Sequence, residues 1–201
     1  MKGTGSTNKV FFRNIDSDSF SPLFDSEDAQ YNFIDNTKNI FYFITDKNAP
    51  NKKLISINIH SKEVKEVVKE SKEPIDSCDF IGGHFFINYL DNAHAHLKMF
   101  KEDGVFVRDI ALPFLGSLGS IVGKKKDSHF FVSLSSFLYP RIIFEYDIPS
   151  NSLKEFYRSK IQFDAEKYIT KQFFATSKDG TKVPLFVTYK KVIVLDGNNM
   201  C

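Results

Sequence analysis

One pattern returns three times along this chain at nearly constant spacing, and a fixed period decides how everything around it folds. The segments "NIFYFITD" (39–46), "GHFFINYLD" (83–91) and "SHFFVSLSS" (128–136) each set aromatic and β-branched residues in a short strand, with Phe43, Ile87 and Val132 spaced 44 and 45 positions apart. A second landmark follows each: "LISINI" (54–59), "LKMF" (97–100) and "IIFEYD" (142–147), with Ile57, Phe100 and Tyr146 spaced 43 and 46 apart. A short run precedes each: "YNFID" (31–35), "CDFIG" (78–82) and "SIVG" (120–123). An outer run closes each unit: "EVKEVVKE" (63–70), "VFVRDI" (105–110) and "SLKEFY" (152–157). In the first outer run, Val64, Val67 and Val68 fall at helical spacing, but the equivalent places in the other two units read as strands, so the repeat predicts a strand here too. Four strands every 40 to 50 residues or so is the pattern of a β-propeller blade.

The chain enters this rhythm part-way through a unit. "VFFRNI" (10–15) lies 44 positions before "LISINI", and "FSPLF" (20–24) lies 44 before "VKEVV", so residues 10–24 read as the two outer strands of a blade. Whole blades are expected over about 31–70, 77–110 and 118–159, giving an all-β fold of about three and a half four-stranded blades. Such a set cannot close on itself. A blade buries its faces only against neighbouring blades, so exposed blade faces are expected, either as a surface for association or as an aggregation hazard. The period is lost after 159. An Asp-Gly pair, Asp179-Gly180, then separates "QFFATSK" from "KVPLFVTYK", which is a hairpin signal.

Composition supports sheet and argues against several partners. Phe contributes 22 residues and Tyr 8 with no Trp, and side chains of this kind favour pleated structure. The 27 basic and 25 acidic residues nearly cancel, leaving no field to steer a nucleic acid or an anionic membrane. No apolar run approaches the roughly 20 residues of a spanning helix, and the N-terminus carries no signal-peptide pattern, so a cytoplasmic setting is expected. Cys78 and Cys201 are too few for a disulfide framework and read as one packed and one terminal thiol in a reducing compartment.

Four stretches carry a resemblance: "TDKNAPNKKLISINI" (45–59), "LPFLGSLGSIVGKKKD" (112–127), "SSFLYPRIIFEYD" (135–147) and "SKDGTKVPLFVTYKK" (177–191). In order and spacing they resemble the prolyl oligopeptidase (prolyl endopeptidase) family of serine peptidases. The resemblance implies that residues 1–162 are part of a seven-bladed propeller lying as a lid over an α/β-hydrolase domain. It also implies that 163–201 begin that domain, with the Asp-Gly hairpin as its first antiparallel piece. The family continues beyond "LDG" with a Pro and an apolar strand where this chain has Asn198, Asn199, Met200 and Cys201. That departure points to a truncated gene model, a frameshift or an abbreviated splice product.

Acyl-transfer chemistry of this class requires a serine on a Gly-x-Ser-x-Gly elbow with Asp and His partners. The elbow does not occur: "GSLGSIVG" (116–123) has Gly116 and Gly119 but no serine at the required offsets, and reads as a tight turn into a strand. No catalytic, cofactor-binding or metal-binding residue is therefore assigned. His94 and His96 alternate on a strand, where they would share a face, and His84 and Asp91 are the nearest further ligand types, but no compact ligand motif links them. "GKKKD" (123–127) lacks phosphate-loop spacing and reads as a solvated turn. Cys201 has no base beside it in sequence. Asp46, Asp91, Asp147 and Asp179 sit by turns, where a short carboxylate caps backbone donors.

The expected function is the propeller portion of a prolyl oligopeptidase-like endopeptidase, catalytically incomplete as it stands, with no cofactor. The parent reaction is hydrolysis after proline in short peptides, and peptide substrate is expected only in the full-length parent. The innermost strands, near Tyr31–Ile34, Cys78–Ile81 and Ser120–Val122, are expected to line the central channel. The competing reading is a non-enzymatic propeller fragment that binds a protein through its exposed blade faces.

Overall fold

The computed structural model describes residues 6–194 and 196–199, so Cys201 lies outside the described residues. Three four-stranded antiparallel meanders appear where the repeat places them. The first blade comprises β3 (Tyr31–Thr37), β4 (Ile40–Thr45), β5 (Lys53–Asn58) and β6 (Val64–Val68). The second comprises β7 (Ile75–Ile81), β8 (His84–Asp91), β9 (His94–Lys101) and β10 (Phe106–Ile110). The third comprises β11 (Ser117–Val122), β12 (His129–Ser135), β13 (Ile142–Asp147) and β14 (Ser152–Arg158). Ahead of them, β1 (Val10–Phe12) and β2 (Ser21–Phe24) form the expected half-blade, and β15 (Tyr168–Thr176) pairs with β16 (Lys182–Lys190) in a separate ribbon.

The chain divides into two compact units. One holds residues up to Asp91 with His96–Ala111 and Lys124–Asp127; the other holds Asn92–Ala95, Leu112–Gly123 and everything from Ser128.

Within the first unit, the continuous apolar middle strands have a direct cause. Successive strand residues point to opposite faces, and both faces of β4 and β5 are covered. Tyr42, Ile44 and Leu54 pack against Ile75, Phe85, Ile87 and Tyr89 of the second blade. Phe43, Ile55 and Ile57 pack with Tyr31 against Val10, Leu23 and Phe24 of the half-blade. A strand buried on both sides has no reason to alternate, and so reads "IFYFI". Each large apolar side chain removed from water here contributes about 1.5–3 kcal/mol.

The outer strands share an irregularity. In β2, β6, β10 and β14 the ladder slips by one residue, leaving Leu23, Val67, Val107 and Phe156 as the unmatched residue opposite the third strand. Leu23 lies 44 positions before Val67, so the half-blade carries the bulge at the same repeat position as the first whole blade. The bulge also accounts for the helix-like spacing of Val64, Val67 and Val68: the segment is a strand with one extra residue.

A turn of the second blade uses that bulge. Gly104, between β9 and β10, has φ +86°, and a Cβ on it would stand 1.8 Å from the Val67 carbonyl oxygen. Only glycine permits this backbone, and only the absence of a side chain permits this approach. In the ribbon of the second unit, Ser177–Gly180 close a turn with Gly180 at φ +87°, but nothing lies within 4 Å of a Cβ added there. The two glycines therefore separate conformational cost from steric cost. Gly104→Ala is expected to destabilise the fold by roughly 3 kcal/mol or more and Gly180→Ala by about 1 kcal/mol, read by urea denaturation. Equal effects would show that the Val67 contact yields freely.

Candidate functional site

The inner strands predicted to face a channel present a mixed surface. On β3, Tyr31 is buried while Asn32 and Phe33 are exposed, and Phe33 stacks its edge on Phe41 and Phe43. On β7, Cys78 and Asp79 are half-buried and Phe80 and Ile81 are buried. Cys78 packs against the core between the first two blades, and burial pushes its thiol well above the usual range, which leaves little of the reactive thiolate. On β11, Ser120 is exposed, Ile121 half-buried and Val122 63% exposed.

The lysine turn is more than a solvated loop. Lys124 N–H donates to the Asp127 carboxylate at 2.8 Å, closing the turn as expected. Lys125, however, stands over the Phe80 ring at 5.4 Å, lies 3.5 Å from the Asp35 carboxylate and donates to the Asn36 carbonyl. It therefore ties the β3–β4 turn and β7 together at their inner ends. Sequence showed a charge run; the ring and the carboxylate that receive it lie 45 and 90 positions upstream.

A second polar cluster sits on the second blade. His96 Nδ1 is 2.9 Å from Glu73 Oε2, and His96 Nε2 is 2.9 Å from Asp109 Oδ1. Lys98 Nζ reaches the same Glu73 oxygen at 3.2 Å while lying 4.8 Å above the Tyr89 ring. Burial would raise the Glu73 carboxyl, but hydrogen bonds from Lys98 and His96 outweigh it and hold the group below the usual range. Glu73, Asp91 and His96 offer ligand atoms all within 4.8 Å of one another. Of the residue types weighed from sequence, His96 and Asp91 thus meet, whereas His84 bonds the Gly82 carbonyl and His94 is outside the cluster. Glu73 was not foreseen, because it lies in a polar connector 23 positions before His96 and no spacing rule joins them.

The turn aspartates divide. Asp147 accepts from Ser150 N–H at 2.9 Å and Asp179 from Thr181 N–H at 3.0 Å, as expected of local caps. Asp46 instead accepts from Gln30 N–H, 16 positions away, and fixes the entry to β3. Asp91 belongs to the His96 cluster.

Repeated four-stranded meanders, each bulged on its outer strand and packed face to face within the first unit, define a propeller domain. Residues 1–158, ending at the last residue of β14, match the family model "Prolyl oligopeptidase, N-terminal beta-propeller domain". The chain belongs to that family. It is 31% identical over 196 residues to a prolyl endopeptidase of Elizabethkingia meningoseptica and 29% identical over 192 residues to one of Dictyostelium discoideum. These alignments cover 96% and 88% of this chain but 28% and 25% of the relatives, so the chain spans little more than a quarter of their length. Among solved structures, prolyl oligopeptidase B from Galerina marginata superposes with a TM-score of 0.89 at 26% identity, over 98% of this chain and 30% of that one. The same Galerina enzyme, with a TM-score of 0.84 at 26% identity over 95% of this chain and 29% of that one, has been solved with a 35-residue hydrolysis and macrocyclization substrate.

Asp79 adds a measurable property to the inner strand. Burial alone raises its carboxyl to about 6. The folded value lies above the unfolded one near 3.9, so this group favours folding fully below about pH 4 and loses that contribution as pH rises through about 6. Asp79→Asn is expected to leave stability nearly unchanged at pH 4 and to raise it by roughly 1–3 kcal/mol at pH 7.5. Denaturant unfolding at the two pH values measures this, and a gain of equal size at both would assign the effect to packing rather than charge.

Proposed function

We propose that this chain is the later part of the substrate-filtering propeller of a prolyl oligopeptidase-type serine endopeptidase, together with the start of its peptidase domain. The observation that carries the reading is the agreement between the bulged four-stranded repeat and the family match, which both end at β14. In this reading residues 1–162 are propeller, and 163–201 begin the peptidase domain with the β15–β16 ribbon. The parent reaction is hydrolysis on the carboxyl side of proline in short peptides, the reacting serine, histidine and aspartate coming from outside these 201 residues. The propeller residues restrict access instead of reacting. The two cysteines, too few for a disulfide framework, support a reducing, cytoplasmic setting.

The connection after β14 provides the test. Lys160, Gln162 and Asp164 are exposed, and a single 3-10 turn at Ala165–Lys167 precedes the ribbon. An exposed connector of this kind, here between the last blade and the ribbon, is a preferred site of proteolytic nicking. Brief trypsin digestion of the full chain is expected to cleave between Arg158 and Lys167, leaving a resistant fragment that retains the three blades. The chain alone is expected not to hydrolyse a proline-containing chromogenic peptide. First cleavage within a blade would overturn the domain assignment, and proline-specific hydrolysis by the pure chain would overturn the assignment of the reacting groups.

A further inference from the structure

We propose that Glu73, Asp91 and His96 form a binding site for one divalent transition-metal ion of the zinc type. Three separate elements supply the ligands: the connector before β7, the end of β8, and β9. Their ligand atoms lie within 4.8 Å of one another, so side-chain shifts on the order of an ångström bring all three within the roughly 2.0–2.2 Å bonds of a single ion.

The imidazole carries the argument. Both ring nitrogens face carboxylate oxygens at 2.9 Å, whereas a neutral imidazole has one N–H. Asp109 lies on the Nε2 side, and a carboxylate there is the usual outer partner of a metal-bound histidine, since it fixes the tautomer and turns the other nitrogen's lone pair to the metal. With Nε2–H given to Asp109, the Nδ1 lone pair would confront Glu73 Oε2; a second ring proton resolves that pairing, and so does a metal ion held between the two acceptors. Local charge points the same way. Glu73, Asp91 and Asp109 gather three carboxylates about His96, with the Lys98 ammonium on Glu73.

Lys98 is the competitor. It holds the Glu73 oxygen at 3.2 Å but also has the Tyr89 ring beneath it at 4.8 Å, so it can release the carboxylate without losing all its contacts. A groove of about 600 Å³ whose apolar walls include Val67 and Phe100 reaches the His96, Lys98 and Asp109 side of the cluster. One nitrogen and two oxygens suit zinc and its near neighbours; magnesium and calcium prefer all-oxygen sets.

The test is titration of the full chain with Zn²⁺ by calorimetry and with Co²⁺ by visible absorption, with circular dichroism to confirm that each variant is folded. One equivalent is expected to bind, undisturbed by excess Mg²⁺. Glu73→Gln and Asp91→Asn should each weaken binding at least tenfold, and Asp109→Asn by about tenfold through the outer contact. Lys98→Met should tighten binding severalfold, an effect that a merely structural lysine would not give. His84→Asn and His94→Asn should change nothing. Absence of stoichiometric binding, affinity unmoved by the Glu73 and Asp91 changes in folded protein, or affinity that follows His84 or His94 would each overturn the proposal.

Discussion

Two-sided burial is the constraint from which the rest of this structure follows. A sheet covered on one face alternates in sequence and can stand on a single core; β4, β5 and β8 cannot, because residues on both of their faces are removed from water. Within the first unit each blade therefore takes much of its stability from its neighbour, and the contacts that lock these neighbours together matter as much as the ladder within a blade. Gly104 against Val67, Tyr42 donating to Glu102 at 2.8 Å, and Lys125 on Asp35 are such contacts. The Tyr42 phenol is held protonated first by its burial and then by that hydrogen bond, so the link persists at any ordinary pH.

The same constraint explains what could be read from the amino acids. Phe43, Ile87 and Val132 stand on the second strand of each blade, where both faces are covered and the apolar run is therefore dense and periodic. The whole blades were legible on that basis, the half-blade by its 44-position offset and the ribbon by its Asp179-Gly180 turn. The outer strands were harder, since only some of their residues are covered and the unmatched Val67 imitates a helical spacing. What sequence could not show was long-range polar pairing. Glu73 with His96, Lys125 with Asp35 and Asp46 with Gln30 join residues on different elements, and nothing in local spacing marks them.

Membership of the prolyl oligopeptidase propeller family gives these contacts a setting. Blades in such a domain are held chiefly by their neighbours, and the inner ends of β3 and β7 are tied by a lysine that reaches both. The exposed Phe33 and the half-buried Asp79 give those inner strands apolar and acidic character together. The nearly balanced charge of the chain leaves no field to steer a nucleic acid.

The unmatched residue on every outer strand has an evolutionary and engineering consequence. Because Leu23, Val67, Val107 and Phe156 each add one position to the rim without adding one to the strand inside it, a blade duplicated without that residue would place its rim side chains on the opposite surface. The half-blade and the first blade carry it at one repeat position, as copies of one module would, whereas in the second blade it falls nearer the β9–β10 turn; a synthetic array assembled from averaged blades would have to keep one surplus residue in each rim.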